Sequence, residues 1–320
     1  MYKVLVVGTG CIGSVYACIL ARSNRTQVTC VCRSDYEFVK EYGLKVSSSI
    51  LGEIQSRPTV VQNVAEAIHR TPGAFDYIII CTKAAETTIA RVIEQINPAI
   101  TPGMTSIVVI QNGLGVERVF HTAYPEATII SGVAYMPTIK ISPGVFLHSE
   151  MERLHLGLYP SAVASRTLMT FAELAREGGA YIMIHDDIQA ERWRKVVANG
   201  AVNPICALSR CPDRKLVESS TLGFELVKEV MEEIAAVATS VGYGHIVTPA
   251  TVEMQFTRTL SRPWPGVQPS MMTDALNKRP MEVQAIIGEI VAIAGEKNVR
   301  IPRLATLYVL LMGLEKAQQA

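Results

Sequence analysis

The chain has 320 residues, 49% of them apolar and 18% charged, with a formal net charge of +1. So balanced a charge gives no electrostatic case for nucleic acid or an anionic membrane surface as partner, and no apolar run approaches the ~20 residues that span a bilayer. The length allows one or two domains with full cores.

The N-terminal stretch sets the pattern for the chain. Tyr2–Val7 is a run of aliphatic and β-branched residues that leads directly into Gly8-Thr9-Gly10-Cys11-Ile12-Gly13, and Ser14–Arg22 continues with helical spacing at Val15, Ile19 and Leu20. Strand, tight glycine turn and helix in that order form a dinucleotide-binding fingerprint. Gly8 permits the sharp turn, Gly10 lets the backbone approach a pyrophosphate, and Gly13 lets the helix pack close to the strand. All six residues, Gly8, Thr9, Gly10, Cys11, Ile12 and Gly13, are candidate cofactor contacts, with the pyrophosphate at the helix N-terminus. Because the chain enters a strand at once, no signal or transit peptide is expected.

Gln27–Cys32 reads as the second strand, and Arg33 follows, twenty positions after Gly13. An NAD-specific site places Asp or Glu there for the ribose 2′-hydroxyl, whereas arginine accommodates a 2′-phosphate. Arg33 therefore points to NADP(H). The seven cysteines are odd in number and show neither a C-x-x-C pair nor a nearby histidine cluster. They are expected to be thiols in a reducing cytoplasm, with no metal site.

Further strand-like runs recur at Tyr77–Cys81, Ser106–Ile110 and Thr128–Val133, with helical patterns at Val64–His69 and Thr87–Ile96 between them. That alternation argues for a doubly wound, mostly parallel Rossmann-type sheet. From Ala134 to Tyr159 short β-like pieces are expected as extra strands beside the core sheet. Ser165–Gly178 returns to helix, and Tyr181–Ile184 gives one more strand. Beyond about Asp186 the strand signals stop. Helical patterns run over about 188–208, 222–241, 249–260, 271–276, 281–297 and 303–316, with Pro249, Pro280 and Pro302 suited to helix starts and Gly242 to a C-cap. The fold expected is α/β: an NADP-binding domain over residues 1–185 and an all-helical substrate domain over 186–320.

Ligands of open parallel sheets bind at the carboxyl ends of the strands. Lys83 and Asn112 occupy two such ends, Lys83 suited to the 2′-phosphate or ribose and Asn112 to the nicotinamide end. An exposed loop lysine and an Asn-Gly turn are the plain alternatives. In the second domain, Lys195, Asn199 and Asn203 fall at i, i+4 and i+8 in an otherwise apolar segment. Polar groups in such company are costly to bury unless paired, a pattern that suits a lined pocket. Pro204 disfavours helical geometry at Asn203. Ser270 suits a helix N-cap, and Glu282 suits the third position of a helix begun by Pro280, where the dipole favours a carboxylate.

As an ordered set, these positions resemble the ketopantoate reductase (2-dehydropantoate 2-reductase) family over almost the whole chain. The matching pieces are Gly8-x-Gly10-x-x-Gly13, Arg33, Thr82-Lys83-Ala84, Asn112-Gly113, Pro143-Gly144 with His148, and Trp193-x-Lys195-x-x-x-Asn199-x-x-x-Asn203. Pro269-Ser270-Met271 with Asp274, Glu282 and the Gly295 to Pro302 tail complete them. The resemblance implies a Rossmann domain followed by a helical domain like that of 6-phosphogluconate dehydrogenases. It also implies NADPH-dependent reduction of a small 2-keto acid to a 2-hydroxy acid, in the cytoplasm, for pantothenate synthesis. Carried over residue by residue, Lys195 would be the general acid, and Glu282 would bind the substrate hydroxyl and orient the lysine. Asn199, Asn203 and Ser270 would hold substrate, Asn112 would bridge nicotinamide ribose and substrate, and Arg33 and Lys83 would grip the 2′-phosphate. The chain departs from the family pattern at Glu86, where many members have glutamine, at Met281, where threonine is frequent, and at Met272-Thr273, which replaces Leu-Gln. Two other readings fit the same residues: a related reductase of another keto or imine substrate, and a non-catalytic NADP(H) sensor. A homodimer is left open by the apolar helix Leu304–Leu314, which suits packing within the domain or against a second subunit.

Overall fold

The computed structural model describes residues 1–319; the side chains of Glu86, Thr87 and Gln319 lie outside that description, and with them the sequence departure at Glu86. The chain divides into two units. The first comprises residues 1–111 and 116–188, and the second comprises 189–320 together with the four residues Asn112–Gly115. The division falls a few residues past the expected boundary at 185, and the transfer of 112–115 to the helical unit has no counterpart in the sequence pattern.

The first unit runs β1 (Tyr2–Val7), α1 (Cys11–Leu20), β2 (Thr26–Val31), α2 (Tyr36–Tyr42), β3 (Leu44–Ser48), β4 (Gly52–Ser56), β5 (Thr59–Val61), α3 (Val64–Arg70), β6 (Tyr77–Ile80), α4 (Glu86–Ile96) and β7 (Ser106–Val109). It continues with α5 (Val116–Ala123), β8 (Ile129–Tyr135), β9 (Thr138–Ser142), β10 (Val145–His148), β11 (Arg153–Tyr159), α6 (Arg166–Glu177) and β12 (Ile182–Ile184). Among the described residues the main sheet has eight strands in the order β12-β11-β8-β7-β6-β1-β2-β5. Its stretch from β5 to β8 is the 3-2-1-4-5-6 order of a dinucleotide-binding sheet, parallel throughout. β6 and β7 are buried at every position, which is why they read as continuous hydrophobic runs rather than alternating ones. β11 then adds antiparallel to β8, and β12 parallel to β11.

The pieces after Ala134 do not all join this sheet. β9 and β10 pair with β3 and β4 in a separate four-stranded sheet, order β4-β3-β10-β9. The expectation of extra strands beside the core sheet holds only for β11. The physical reason is long-range pairing: β10 finds β3 about a hundred residues upstream, a partner no local pattern announces. Helix α1 contacts strands of both sheets, β1 and β2 of one and β3, β4 and β9 of the other. Every residue from Gly13 to Leu20 is buried, so α1 needs no polar face.

The second unit is helical: α7 (Ile188–Ser209, whose first residue belongs to the first unit), α8 (Asp213–Val217), α9 (Thr221–Ser240), α10 (Pro249–Leu260), α11 (Ser270–Leu276), α12 (Glu289–Glu296) and α13 (Pro302–Gln319). A π-helical turn, Gln284–Gly288, leads directly into α12. α7 continues through Pro204 to Ser209, so Asn203 is helical after all. Proline forfeits one hydrogen bond in a helix interior, and here the burial of Val202, Ile205, Cys206 and Ala207 on the same helix offsets the loss. Gly200 lets α9 approach α7 closely: a Cβ there would lie 2.8 Å from the Ile234 side chain. The carboxylate of Glu233 on α9 accepts the N–H groups of Arg303 and Leu304 at 3.2 and 2.9 Å, capping α13.

Gly13 ties the helix start to the strand end, since an added Cβ would fall 2.1 Å from the Gly8 carbonyl oxygen. Gly13→Ala is expected to destabilise the protein by roughly 1–3 kcal/mol, the cost of forcing an overpacked contact apart. Urea denaturation measures it, and an unchanged midpoint would show that α1 moves away from the turn without strain.

Candidate active site

The cofactor candidates lie along one rim of the first unit's sheet. Gly8 follows β1, Arg33 follows β2 and Lys83 follows β6, each just past the carboxyl end of a parallel strand. Gly8 has φ +99°, and a Cβ on it would meet the Thr82 nitrogen at 2.5 Å, so the turn after β1 runs hard against the chain leaving β6. The Thr9 hydroxyl donates to the Val31 carbonyl at 3.0 Å, tying the same turn to the end of β2. By contrast, nothing lies within 4 Å of a Cβ built on Gly10. Gly10 is the N-cap of α1 and no side chain caps it, so the positive end of the helix dipole at this turn favours an anion. Between β6 and β7, the Gln111 side-chain amide donates to the Thr82 carbonyl at 2.9 Å and braces the rim.

Arg33 is exposed and its guanidinium makes no hydrogen bond or ion pair among the described residues. Asp35, two residues on, is fully engaged elsewhere. It is 7% exposed and accepts from Lys140 Nζ at 2.6 Å, from the Gly144 N–H at 3.1 Å and from the Ser34 hydroxyl at 2.9 Å. Burial works to raise its carboxyl, yet these hydrogen bonds prevail and hold it below the ordinary range. The loop after β2 thus offers a free arginine and a spent aspartate, the combination that suits a phosphate rather than a ribose hydroxyl. Lys83 is likewise exposed.

The second unit holds a hydrogen-bonded chain of three predicted residues. Lys195 Nζ donates to Asn112 Oδ1 at 2.8 Å, and Asn112 Nδ2 donates to Glu282 Oε2 at 3.2 Å. Glu282 is 4% exposed and Lys195 is half-buried. Burial lowers Lys195 to about 8, the neighbouring Arg192 cation adds to the effect, and the charges of Glu282 and Glu191 oppose it. Glu282 is not the third residue of a helix. It directly precedes the helical run that begins at Val283, so its carboxylate is placed by tertiary contacts rather than by a first turn. One of these is a backbone anchor: the Met281 N–H donates to Glu315 Oε1 on α13 at 2.9 Å.

Asn199 and Asn203 follow Lys195 on α7. Neither side-chain amide has a partner within the protein among the described residues. Asn203 is 6% exposed, yet its amide atoms are not sealed off. Two side-chain amides on one helix that bond nothing in the protein and are not sealed off suit a wall that meets a polar ligand. Ser270 is the first residue of α11, where Pro269 is the N-cap, and its hydroxyl makes no cap bond. It is exposed and hydrogen-bonds none of the three linked residues. Met272 and Met281 are buried in the helical core, and Thr273 links the Gln268 amide (2.7 Å) to the Pro269 carbonyl (3.2 Å). These departures from the family pattern are thus absorbed by packing and loop structure. Sequence reasoning missed Arg192, which is 3% exposed and donates Nη1 to the Gly113 carbonyl at 2.9 Å. Its neighbours Glu191, Arg194 and Lys195 make the stretch charge-rich, so no local pattern set it apart from a solvated helix face.

The model of the family described as ketopantoate reductase PanE/ApbA matches residues 4–161, and that of its C-terminal part matches residues 187–315. The chain belongs to the ketopantoate reductase family. As a member it is an NADP-dependent oxidoreductase with NADP(H) as cofactor. The structure of 2-dehydropantoate 2-reductase from Methylococcus capsulatus superposes with a TM-score of 0.86 at 34% identity, covering 99% of this chain and 98% of that one. The 2-dehydropantoate 2-reductase of Nostoc is 27% identical over 316 residues, 96% of this chain and 93% of the relative. A D-mandelate dehydrogenase with NADH and anilino(oxo)acetate shares the fold, with a TM-score of 0.83 at 22% identity. No helix among the described residues is long and apolar enough to cross a membrane.

A hydroxyl that caps nothing has no structural duty to lose. Ser270→Ala is expected to leave stability within about 0.5 kcal/mol, whereas loss of a true N-cap costs about 0.5–2 kcal/mol. Thermal unfolding followed by circular dichroism tells these apart.

Proposed function

We propose that the chain reduces a small 2-keto acid to its 2-hydroxy acid, 2-dehydropantoate to pantoate being the first candidate, with Lys195 as the general acid. The observation that carries this reading is the hydrogen-bonded chain from Lys195 through Asn112 to Glu282. NADPH supplies the hydride when bound. The glycine turn with the uncapped start of α1, and Arg33 with Lys83, are the residues that would hold its pyrophosphate and its 2′-phosphate.

A keto carbonyl that gains a hydride becomes an alkoxide, which needs both charge stabilisation and a proton. An ammonium supplies both, and one that titrates near 8 gives up its proton far more readily than an ordinary lysine at about 10.4. Asn112 fixes the ammonium by accepting a hydrogen bond from it. Glu282 keeps the Asn112 amide from turning and stands ready to accept from a substrate hydroxyl. Asn199, Asn203 and Ser270 offer donors and acceptors for the carboxylate and the remaining polar groups of the substrate. Support for the specific substrate comes from the 2-dehydropantoate 2-reductases of Methylococcus and Nostoc, which the chain resembles along nearly its whole length.

The decisive assay is NADPH oxidation with 2-dehydropantoate beside a panel of other 2-keto acids. Selective turnover of 2-dehydropantoate supports the pathway assignment; turnover only elsewhere keeps the chemistry and discards the pathway; NADPH binding with no turnover at all sinks the reductase reading. Two variants probe the roles. Lys195→Ala should lower kcat by roughly 10²–10⁴-fold with NADPH affinity retained. In the wild type, reduction should fall as pH rises through about 8, where the ammonium loses its proton, and oxidation of the 2-hydroxy acid should rise through the same region. A reduction rate flat to pH 10 would remove Lys195 from the mechanism. Arg33→Ala should weaken NADPH by about tenfold to a hundredfold, the worth of a charge-assisted hydrogen bond, and leave NADH nearly unchanged. Equal losses for both cofactors would end the 2′-phosphate role.

A further inference from the structure

Arg192 sits within a single helical turn of Lys195 and is buried, at 3% exposure. A guanidinium so placed is costly unless its donors are used. Its Nη1 donor goes to the carbonyl of Gly113, in the segment that carries Asn112. Gly113 has φ +93°, a conformation other residues rarely adopt, and a Cβ on it would lie 2.1 Å from the Ala285 carbonyl oxygen. The next residue, Leu114, donates its N–H to that same oxygen at 2.9 Å. The segment is thereby pinned twice, through the carbonyl of Gly113 to α7 and through the N–H of Leu114 to the π-helical turn. Asn112 stands one residue before the first pin.

Arg192 also acts through its charge. Residues three apart on a helix are neighbours, so Arg192 and Lys195 are like charges on adjoining positions of α7. The charged groups that face Lys195 are Arg192 and Glu191 on its own helix and Glu282 from the segment before the π-helical turn, while the 112–115 segment presents only the neutral Asn112 amide. Of these charges Arg192 alone favours loss of the proton. Glu191 is bound to Arg194 at 2.6 Å.

We propose that Arg192 is a positioning residue, which fixes Asn112 through the Gly113 carbonyl and by its charge makes Lys195 a readier proton donor. This role deepens the reading of Lys195 as the acid and rests on it. The test compares wild type, Arg192→Met and Arg192→Lys by two readouts. The first is the pH dependence of Lys195 acylation by acetic anhydride, followed by peptide mass spectrometry, which needs no turnover. The second is the split of kcat and KM with the best 2-keto acid.

Arg192→Met should move the acylation midpoint up by at least about half a pH unit and raise KM several-fold. Arg192→Lys keeps the charge without the planar fork, so it should hold the wild-type midpoint while still raising KM. A wild-type midpoint in Arg192→Met overturns the electrostatic role, and a wild-type KM in both variants overturns the positioning role. If Arg192→Met does not fold, Arg192→Lys decides: a raised KM at an unchanged midpoint supports the role, and wild-type values throughout overturn it. If the wild type turns over no 2-keto acid, the reductase reading fails while the acylation midpoints still answer for Arg192.

Discussion

A primary amide has an oxygen that only accepts and a nitrogen that only donates, and Asn112 uses both ends at once. Its oxygen accepts a hydrogen bond from the Lys195 ammonium and its nitrogen donates one to the Glu282 carboxylate. The reverse orientation would set N–H against N–H and oxygen against oxygen, so the two charges dictate how the amide lies. A buried carboxylate and a half-buried ammonium are each costly alone; the amide between them gives each a polar partner. Much of the second unit is arranged to keep this link in register.

The four residues Asn112–Gly115 are where that arrangement begins. They continue from a strand of the first unit's sheet yet group with the helical unit. Glycines at 113 and 115, with φ of +93° and +71°, let the segment turn twice in four residues. The π-helical turn that receives it is a local irregularity of a kind found often at functional sites. Farther back, α9 caps α13 through Glu233, and α13 anchors the residue before Glu282 through Glu315. The position of one carboxylate thus depends on helix packing several elements away.

In the first unit the same economy of placement serves an anion. The parallel strands carry the glycine turn, Arg33 and Lys83 to one rim, and the four-stranded second sheet does something less expected. Lys140 on its strand β9 takes up Asp35, the carboxylate two residues after Arg33. A sheet that lies outside the dinucleotide fold therefore determines the electrostatic character of the loop after β2. The buried Asp35 carboxylate ties that loop to β9 through Lys140 and to the Gly144 N–H.

Much of this was legible in the residues alone. Five of the six strands in the 3-2-1-4-5-6 stretch of the sheet were signalled by short hydrophobic runs; β5, three residues long, was not. The glycine turn was signalled by spacing that only a strand-turn-helix needs. The stripe of Lys195, Asn199 and Asn203 was signalled by polar groups in apolar company. Helix periodicity and turn chemistry are local properties, so a linear sequence carries them. What the sequence could not carry was non-local. The pairing of β3 with β10 joins strands about a hundred residues apart, the helix runs on through Pro204 because packing outweighs one lost hydrogen bond, and Glu282 lies ahead of its helix rather than inside it. The link of residues 112, 195 and 282, with Arg192 behind it, exists only because tertiary packing folds a strand end, a long helix and a π-helical turn onto one point. Sequence chose the chemistry of each group; only the three-dimensional chain decided which groups meet, because hydrogen bonds depend on ångström distances that residue numbers do not encode.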